Sequence, residues 1–244
     1  MKEIRKTKML GIALSQVTLK EVLEFIYISL QKKEKKLFVV TPNIEILMFS
    51  RKNPDYQDVI NRTDLALPDS IGLFFAAKIL GVSLKERIPG VDLLENICRQ
   101  VSKRPITVGF LGGGPGVALS TAECLRQKYP SLKISFALEE WPASEDKIKP
   151  KSDILFVAFG SPKQELWIAK NLPKIDVRIA IGVGGSFDFI SGKVPRAPKF
   201  VRNLGLEWLF RLVIQPWRIK RQLAIPAFLL LVFKEKLKKN LKML

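Results

Sequence analysis

Histidine is absent from the 244 residues, so the commonest general base and every His-dependent triad are excluded. Proton transfer near neutral pH falls to Asp, Glu, Lys, Tyr or Cys. The best-placed acid is Asp69 in Leu67-Pro68-Asp69-Ser70-Ile71-Gly72, just past an apolar run and before a helix-like one. An acid there faces the ligand edge of an α/β sheet and suits a base; it suits a helix N-cap equally well. Thr41-Pro42-Asn43 brings a hydroxyl and an amide to the same edge, again with capping as the plain alternative. Arg87, in Glu86-Arg87-Ile88-Pro89-Gly90, is a loop cation able to hold a phosphate.

A second group of residues suits an anion. Gly112-Gly113-Gly114-Pro115-Gly116 follows an apolar run and opens a helical stretch, a turn in which backbone N–H groups can approach a diphosphate at a positive helix end. Val117 breaks the dinucleotide fingerprint, which argues against a Rossmann oxidoreductase. Glu139 and Glu140, at the end of the next run, suit ribose hydroxyls. Gly160-Ser161-Pro162-Lys163-Gln164-Glu165 offers Gln164 and Glu165 to a sugar or to uridine. The glycines of Gly182-Val183-Gly184-Gly185 are better explained by close packing. No D-x-D occurs, so a sugar-nucleotide transferase built this way must neutralise its leaving diphosphate with Arg, Lys or helix dipoles, and needs no metal or other cofactor.

These residues need a frame. Apolar, β-branched runs at 37–40, 65–67, 106–111, 132–137, 154–159 and 178–183 alternate with helix-like segments, which predicts a Rossmann-like, mainly parallel sheet with helices on both faces. Thr18 and Glu21 form a capping box that opens a helix to about Gln31. The pattern changes near Val194, which places an α/β core at 1–194 and a helical appendage at 195–244. The chain carries +18 overall, and residues 193–244, with thirteen Lys or Arg against Glu207 and Glu235, hold +11 of it. Arg196, Arg202, Arg211, Arg218 and Arg221 are available there for a leaving phosphate, interleaved with Trp208, Leu209, Phe210 and Trp217 in the manner of an interfacial helix. Leu230, Phe233, Leu237, Leu241 and Leu244 form one stripe, fit for a membrane surface or for packing on the core. Leu223–Phe233 is well short of the roughly 20 apolar residues that span a bilayer. Cys98 and Cys124 are too few and too far apart for a disulfide framework or a metal site. A basic nucleic-acid module fits the charge but has no use for a strand-end acid or for the glycine turns.

In order and spacing, these segments, together with Arg196-Ala197-Pro198 running into Glu207-Trp208, Arg211, Pro216 and Arg218, resemble the WecG/TagA/CpsF family of glycosyltransferases over nearly the whole chain. Ser70 departs from the glycine many members carry after the acid. The resemblance implies an inverting, metal-independent transfer of N-acetylmannosamine from UDP-ManNAc to the 4-hydroxyl of GlcNAc-diphospho-undecaprenol in wall teichoic acid linkage-unit synthesis. Asp69 would be the general base, with Thr41, Asn43 and Arg87 around the sugar and phosphate and Gln164 nearby. It also implies a peripheral protein at the cytoplasmic face of the cell membrane whose appendage completes the site and meets the anionic surface, oligomers of the core when the appendage is missing, and no nucleic-acid partner.

Overall fold

The computed structural model describes residues 4–32, 35–142, 150–219 and 223–241. Six strands form one parallel sheet in the order β4-β3-β8-β7-β5-β6: β3 (Leu37–Val40), β4 (Leu65–Ala66), β5 (Thr107–Gly112), β6 (Lys133–Leu138), β7 (Ser152–Ala158) and β8 (Val177–Gly182). The six apolar runs of the sequence fall on these strands to within a residue or two. A two-stranded antiparallel hairpin, β1 (Lys6–Met9) and β2 (Ile12–Ser15), precedes them and lies outside the sequence-based expectation.

Side-chain alternation divides the core in two. Leu37, Val39, Ile154, Phe156, Ile179 and Ile181 point to one side, onto α1 (Leu19–Lys32), α5 (Gly90–Val101) and α6 (Val117–Lys128). Phe38, Val40, Leu155, Val157 and Ala180 point to the other, onto α2 (Ile44–Lys52), α3 (Pro54–Asn61), α4 (Ile71–Leu80) and α7 (Lys163–Asn171). Strands covered on both faces read as continuous apolar runs, and this made them legible. The capping box forms as expected: Glu21 Oε2 accepts the Thr18 N–H at 2.7 Å and Thr18 Oγ1 accepts the Glu21 N–H at 3.2 Å.

Beyond α8 (Ser186–Ile190) come α9 (Lys199–Asn203), α10 (Glu207–Ile214), a 3-10 turn at Pro216–Arg218, and α11 (Ala224–Leu241). No strand follows residue 194 among the described residues. Helix α11 packs on α4 and α2, with Phe228 and Val232 fully buried in the second core cluster. The stripe singled out in the sequence is the other face of this helix: Leu230, Phe233, Leu237 and Leu241 are 65, 55, 61 and 72 % exposed. Leu244 lies outside the described residues. No helix among the described residues is long and apolar enough to cross a membrane.

Candidate active site

The carboxyl ends of the strands open onto one cavity of about 900 Å³, roofed by α10 and the start of α11. Thr41, Asn43, Asp69, Arg87, Gly112, Gly113, Gly114 and Gln164 all line it. Residues separated by up to 123 positions thus share one wall because parallel strands all end on the same edge.

Asp69 is set three residues past β4 by its own N–H, which donates to Pro42 O at 2.9 Å, while Pro68 O accepts the Ile88 N–H at 2.9 Å. These two bonds tie together the three loops that carry Thr41, Asp69 and Arg87. Asp69 lines the cavity, and burial of its carboxyl pushes the pKa up to about 7; Glu207 and Asp92 add to the rise, while the Arg87 guanidinium and the Gly90 N–H oppose it. A carboxylate that titrates near neutrality is a matched general base. The helix after it, α4, starts at Ile71 with Ser70 as N-cap residue, so Asp69 does not serve as that cap. Asn43 does serve as one: its Oδ1 accepts the Ile46 N–H at 3.0 Å, and the residue also lines the cavity. Thr41 is buried and donates its hydroxyl to Gly182 O at 3.1 Å.

At the other end of the edge, Gly112, Gly113, Gly114 and Gly116 all have φ between 70° and 101°, a left-handed path that side chains resist. The turn opens α6. A carboxylate already stands there, since Glu139 Oε1 accepts the Gly116 N–H at 2.6 Å. Glu139 and Glu140 both line the cavity.

Gln164 and Glu165 separate in role. Gln164 faces the cavity, with its Oε1 accepting the Gly184 N–H at 3.0 Å. Glu165, expected on the substrate, is fully buried behind it and does not line the cavity; its carboxylate accepts from Tyr56 Oη at 2.9 Å, Ser161 Oγ at 2.8 Å and Gln164 Nε2 at 2.6 Å. Burial raises its pKa against the pull of these donors. The side chain on α7 that turns inward, onto α3, is the one without access to a ligand.

The C-terminal arginines also divide. Arg211 lines the cavity, its guanidinium 3.6 Å from Asp188 and 4.7 Å from the Phe189 ring centroid. The close packing expected at the second glycine cluster is this contact: a Cβ on Gly185 would stand 2.6 Å from Arg211 Nη2. Arg196 and Arg202 stand outside the cavity, where Asp92 draws them to 2.7 and 3.9 Å, and Arg196 also lies 3.4 Å from Glu207. Arg87 reaches toward the same segment, 3.4 Å from Arg202 O. Arg221 and the side chain of Arg218 lie outside what the structure describes. Sequence reasoning missed Tyr56 and Asp92. Nothing in the spacing marks Tyr56, whereas Asp92 was within reach as an acid in the first turn after Pro89-Gly90. Among the described residues, no group of three His, Cys, Asp or Glu is placed to hold a metal ion.

The comparisons with known proteins agree with this geometry. Over 207 residues the chain is 34 % identical to the N-acetylglucosaminyldiphosphoundecaprenol N-acetyl-beta-D-mannosaminyltransferase of Bacillus spizizenii, covering 83 % of this chain and 80 % of that protein. It is 32 % identical over 207 residues to the protein of that name from Bacillus subtilis, with 83 and 81 % covered. It is 31 % identical over 241 residues to the one from Staphylococcus aureus, with 96 and 94 % covered. Residues 7–242 match the glycosyl transferase WecG/TagA/CpsF family. A strand-end acid poised near neutrality, a glycine turn on the same cavity and this match along the chain lead to one assignment: the protein belongs to the WecG/TagA/CpsF family and is a glycosyltransferase.

Proposed function

We propose that this enzyme moves N-acetylmannosamine from UDP-ManNAc to the 4-hydroxyl of GlcNAc-diphospho-undecaprenol, with inversion and without a metal, in linkage-unit synthesis for wall teichoic acid. The observation that carries the reading is the single cavity joining Asp69 at one end to the glycine turn and Glu139 at the other. On this reading the β5–α6–β6 unit is the Rossmann-like nucleotide half, with Glu139 or Glu140 on the ribose. Thr41, Asn43 and Gln164 surround the sugar. Asp69 takes the proton of the acceptor hydroxyl as its oxygen bonds to the sugar's anomeric carbon. The bond from that carbon to the diphosphate breaks, and UDP leaves with its charge met by Arg87 and Arg211.

The acceptor is held in a bilayer, and the C-terminal segment suits a protein that works on its surface. Phe200, Leu204, Val213, Trp217 and Leu223 are between 67 and 72 % exposed, and the same segment carries the exposed stripe of α11 and Lys234, Lys236 and Lys238. Apolar side chains inserted at the interface, with cations over an anionic leaflet, bind a membrane without spanning it. The deciding experiment gives the full chain a panel of UDP-sugars and a short-chain GlcNAc-diphospholipid, with and without EDTA, and weighs the product. A mass gain of one N-acetylhexosamine from UDP-ManNAc, undiminished by EDTA, is expected. Transfer from a different sugar alone, or activity that returns only with Mg²⁺ or Mn²⁺, overturns the reading.

A further inference from the structure

A charge network beside Asp69 joins the core to the C-terminal segment. Gly90 and Asp92 stand in the first turn of α5; the Gly90 N–H donates to the Asp69 carboxyl, and Asp92 follows two residues on. Glu207 opens α10 and lines the same cavity as Asp69. Arg196, on the segment between α8 and α9, bridges these two acids: its Nη2 lies 2.7 Å from Asp92 Oδ1, and its Nε donates to Glu207 Oε1 at 3.4 Å. The Arg196 side chain is 19 % exposed and that of Glu207 18 %, so solvent screens the pair only in part. Arg202 makes a longer contact with Asp92 at 3.9 Å, and Arg211, the cation of α10, is turned to Asp188 at 3.6 Å.

Both acids bear on the base. A negative charge nearby disfavours the loss of a proton, and a positive one favours it. Besides burial, the charges that act on Asp69 are Arg87, which draws its pKa down, and Glu207 and Asp92, which raise it. Arg196 stands against those two acids, so removing either partner of the Arg196–Glu207 pair leaves a charge of opposite sign uncompensated near the base. We infer that Glu207 and Arg196 are positioning residues that act on Asp69 as an opposed pair: Glu207 sets a proton-retaining charge beside the base, and Arg196 limits it. This inference rests on Asp69 as the base of the proposed transfer. Both residues belong to the C-terminal segment, which thereby supplies the site with a negative charge beside the base as well as with Arg211 for the leaving group.

The test follows Asp69 first directly and then through turnover. In the full chain labelled with carbon-13 aspartate, the carboxyl resonance that disappears in Asp69→Asn is titrated in wild type, Glu207→Gln and Arg196→Met. The wild-type midpoint is expected near pH 7. Glu207→Gln keeps the shape and an acceptor for Arg196, and should lower the midpoint by about 0.5–1 pH unit; Arg196→Met should raise it by about as much, the effect of one partly screened charge. The opposite signs separate charge from packing, because a wall merely loosened by either substitution would admit water and lower both midpoints. Midpoints that stay at the wild-type value, or that move the same way, overturn the inference. Should Arg196→Met fail to fold, Arg196→Gln, which keeps a hydrogen-bond donor, takes its place and must raise the midpoint. The same variants are assayed for kcat/KM against pH with UDP-ManNAc and a short-chain GlcNAc-diphospholipid, and the acid limb should move with the midpoint; a limb that stays in place while the midpoint moves also overturns the inference. If the midpoints part as expected but wild type transfers no sugar, the proposed function falls and the opposed pair stands. If wild type transfers the sugar and the midpoints do not part, only the inference falls.

Discussion

The cavity has two walls built on different principles. The sheet wall is internally bonded: Thr41, Asn43 and Gln164 make hydrogen bonds with neighbours at 2.6–3.1 Å, which holds each group in one orientation. The C-terminal wall is attached through charges and a few apolar anchors. Arg196, Arg202 and Arg211 meet Asp92, Glu207 and Asp188, and Phe228 plugs the second core cluster. Most of the exposed large apolar side chains lie in the C-terminal segment that carries the second wall. These ion pairs keep some access to screening solvent, so the buried anchors outweigh them in holding the helices down.

Substitutions can break or sharpen this contrast. The largest effect belongs to the sheet wall. Asp69→Asn should lower kcat by about 10²–10⁴-fold, the usual worth of a general base, while calorimetry finds UDP binding intact. Near-normal turnover would leave Asp69 without a catalytic part. On the C-terminal wall, Arg211→Ala should lower kcat by about 10²-fold through the loss of a donor to the leaving charge. If instead only vesicle binding changes, Arg211 belongs to docking. Within α11 the two faces should part company. Phe228→Ala empties a packed site and should cost about 3–5 kcal/mol in denaturant unfolding. The triple change of Leu230, Phe233 and Leu237 to Ser should leave that stability nearly unaltered and abolish flotation with anionic vesicles. Retained flotation would remove the exposed stripe from the membrane surface.

The remaining effect concerns pH. Asp69 ionises near pH 7 in the folded chain and near 3.8 in a free chain. Between those values the folded state keeps a proton that the unfolded chain has shed, so this residue's contribution to stability declines as pH rises from about 4 to about 7. Asp69→Asn should therefore melt higher than wild type by a margin that grows through this window and levels off above it. For the same reason wild-type kcat/KM should fall below about pH 7 as the base is protonated. A margin independent of pH would mean that the site does not raise the Asp69 pKa.

The sheet and most of the cavity wall were readable in advance because buried parallel strands have unbroken apolar runs and their ends carry the ligand residues. Asn43 illustrates the limit of such reading, since capping and lining were set against each other and one side chain does both. Tyr56 and Glu165 are 109 positions apart, and only the packing of α3 on α7 makes them partners. In α11 a stripe of leucines was visible, but which of two apolar faces meets the core depends on where α2 and α4 lie. The hairpin β1–β2 escaped notice because four-residue strands, one of them Lys-Thr-Lys-Met, carry too little alternation to register.

The order β4-β3-β8-β7-β5-β6 also acts as a ruler. Five steps between neighbouring strands, each about 4.8 Å, put the strand ends that carry Asp69 and Glu139 about 24 Å apart. A nucleotide sugar is shorter than this from ribose to anomeric carbon even when extended, so it covers only part of the edge and leaves room along the rest for a second substrate.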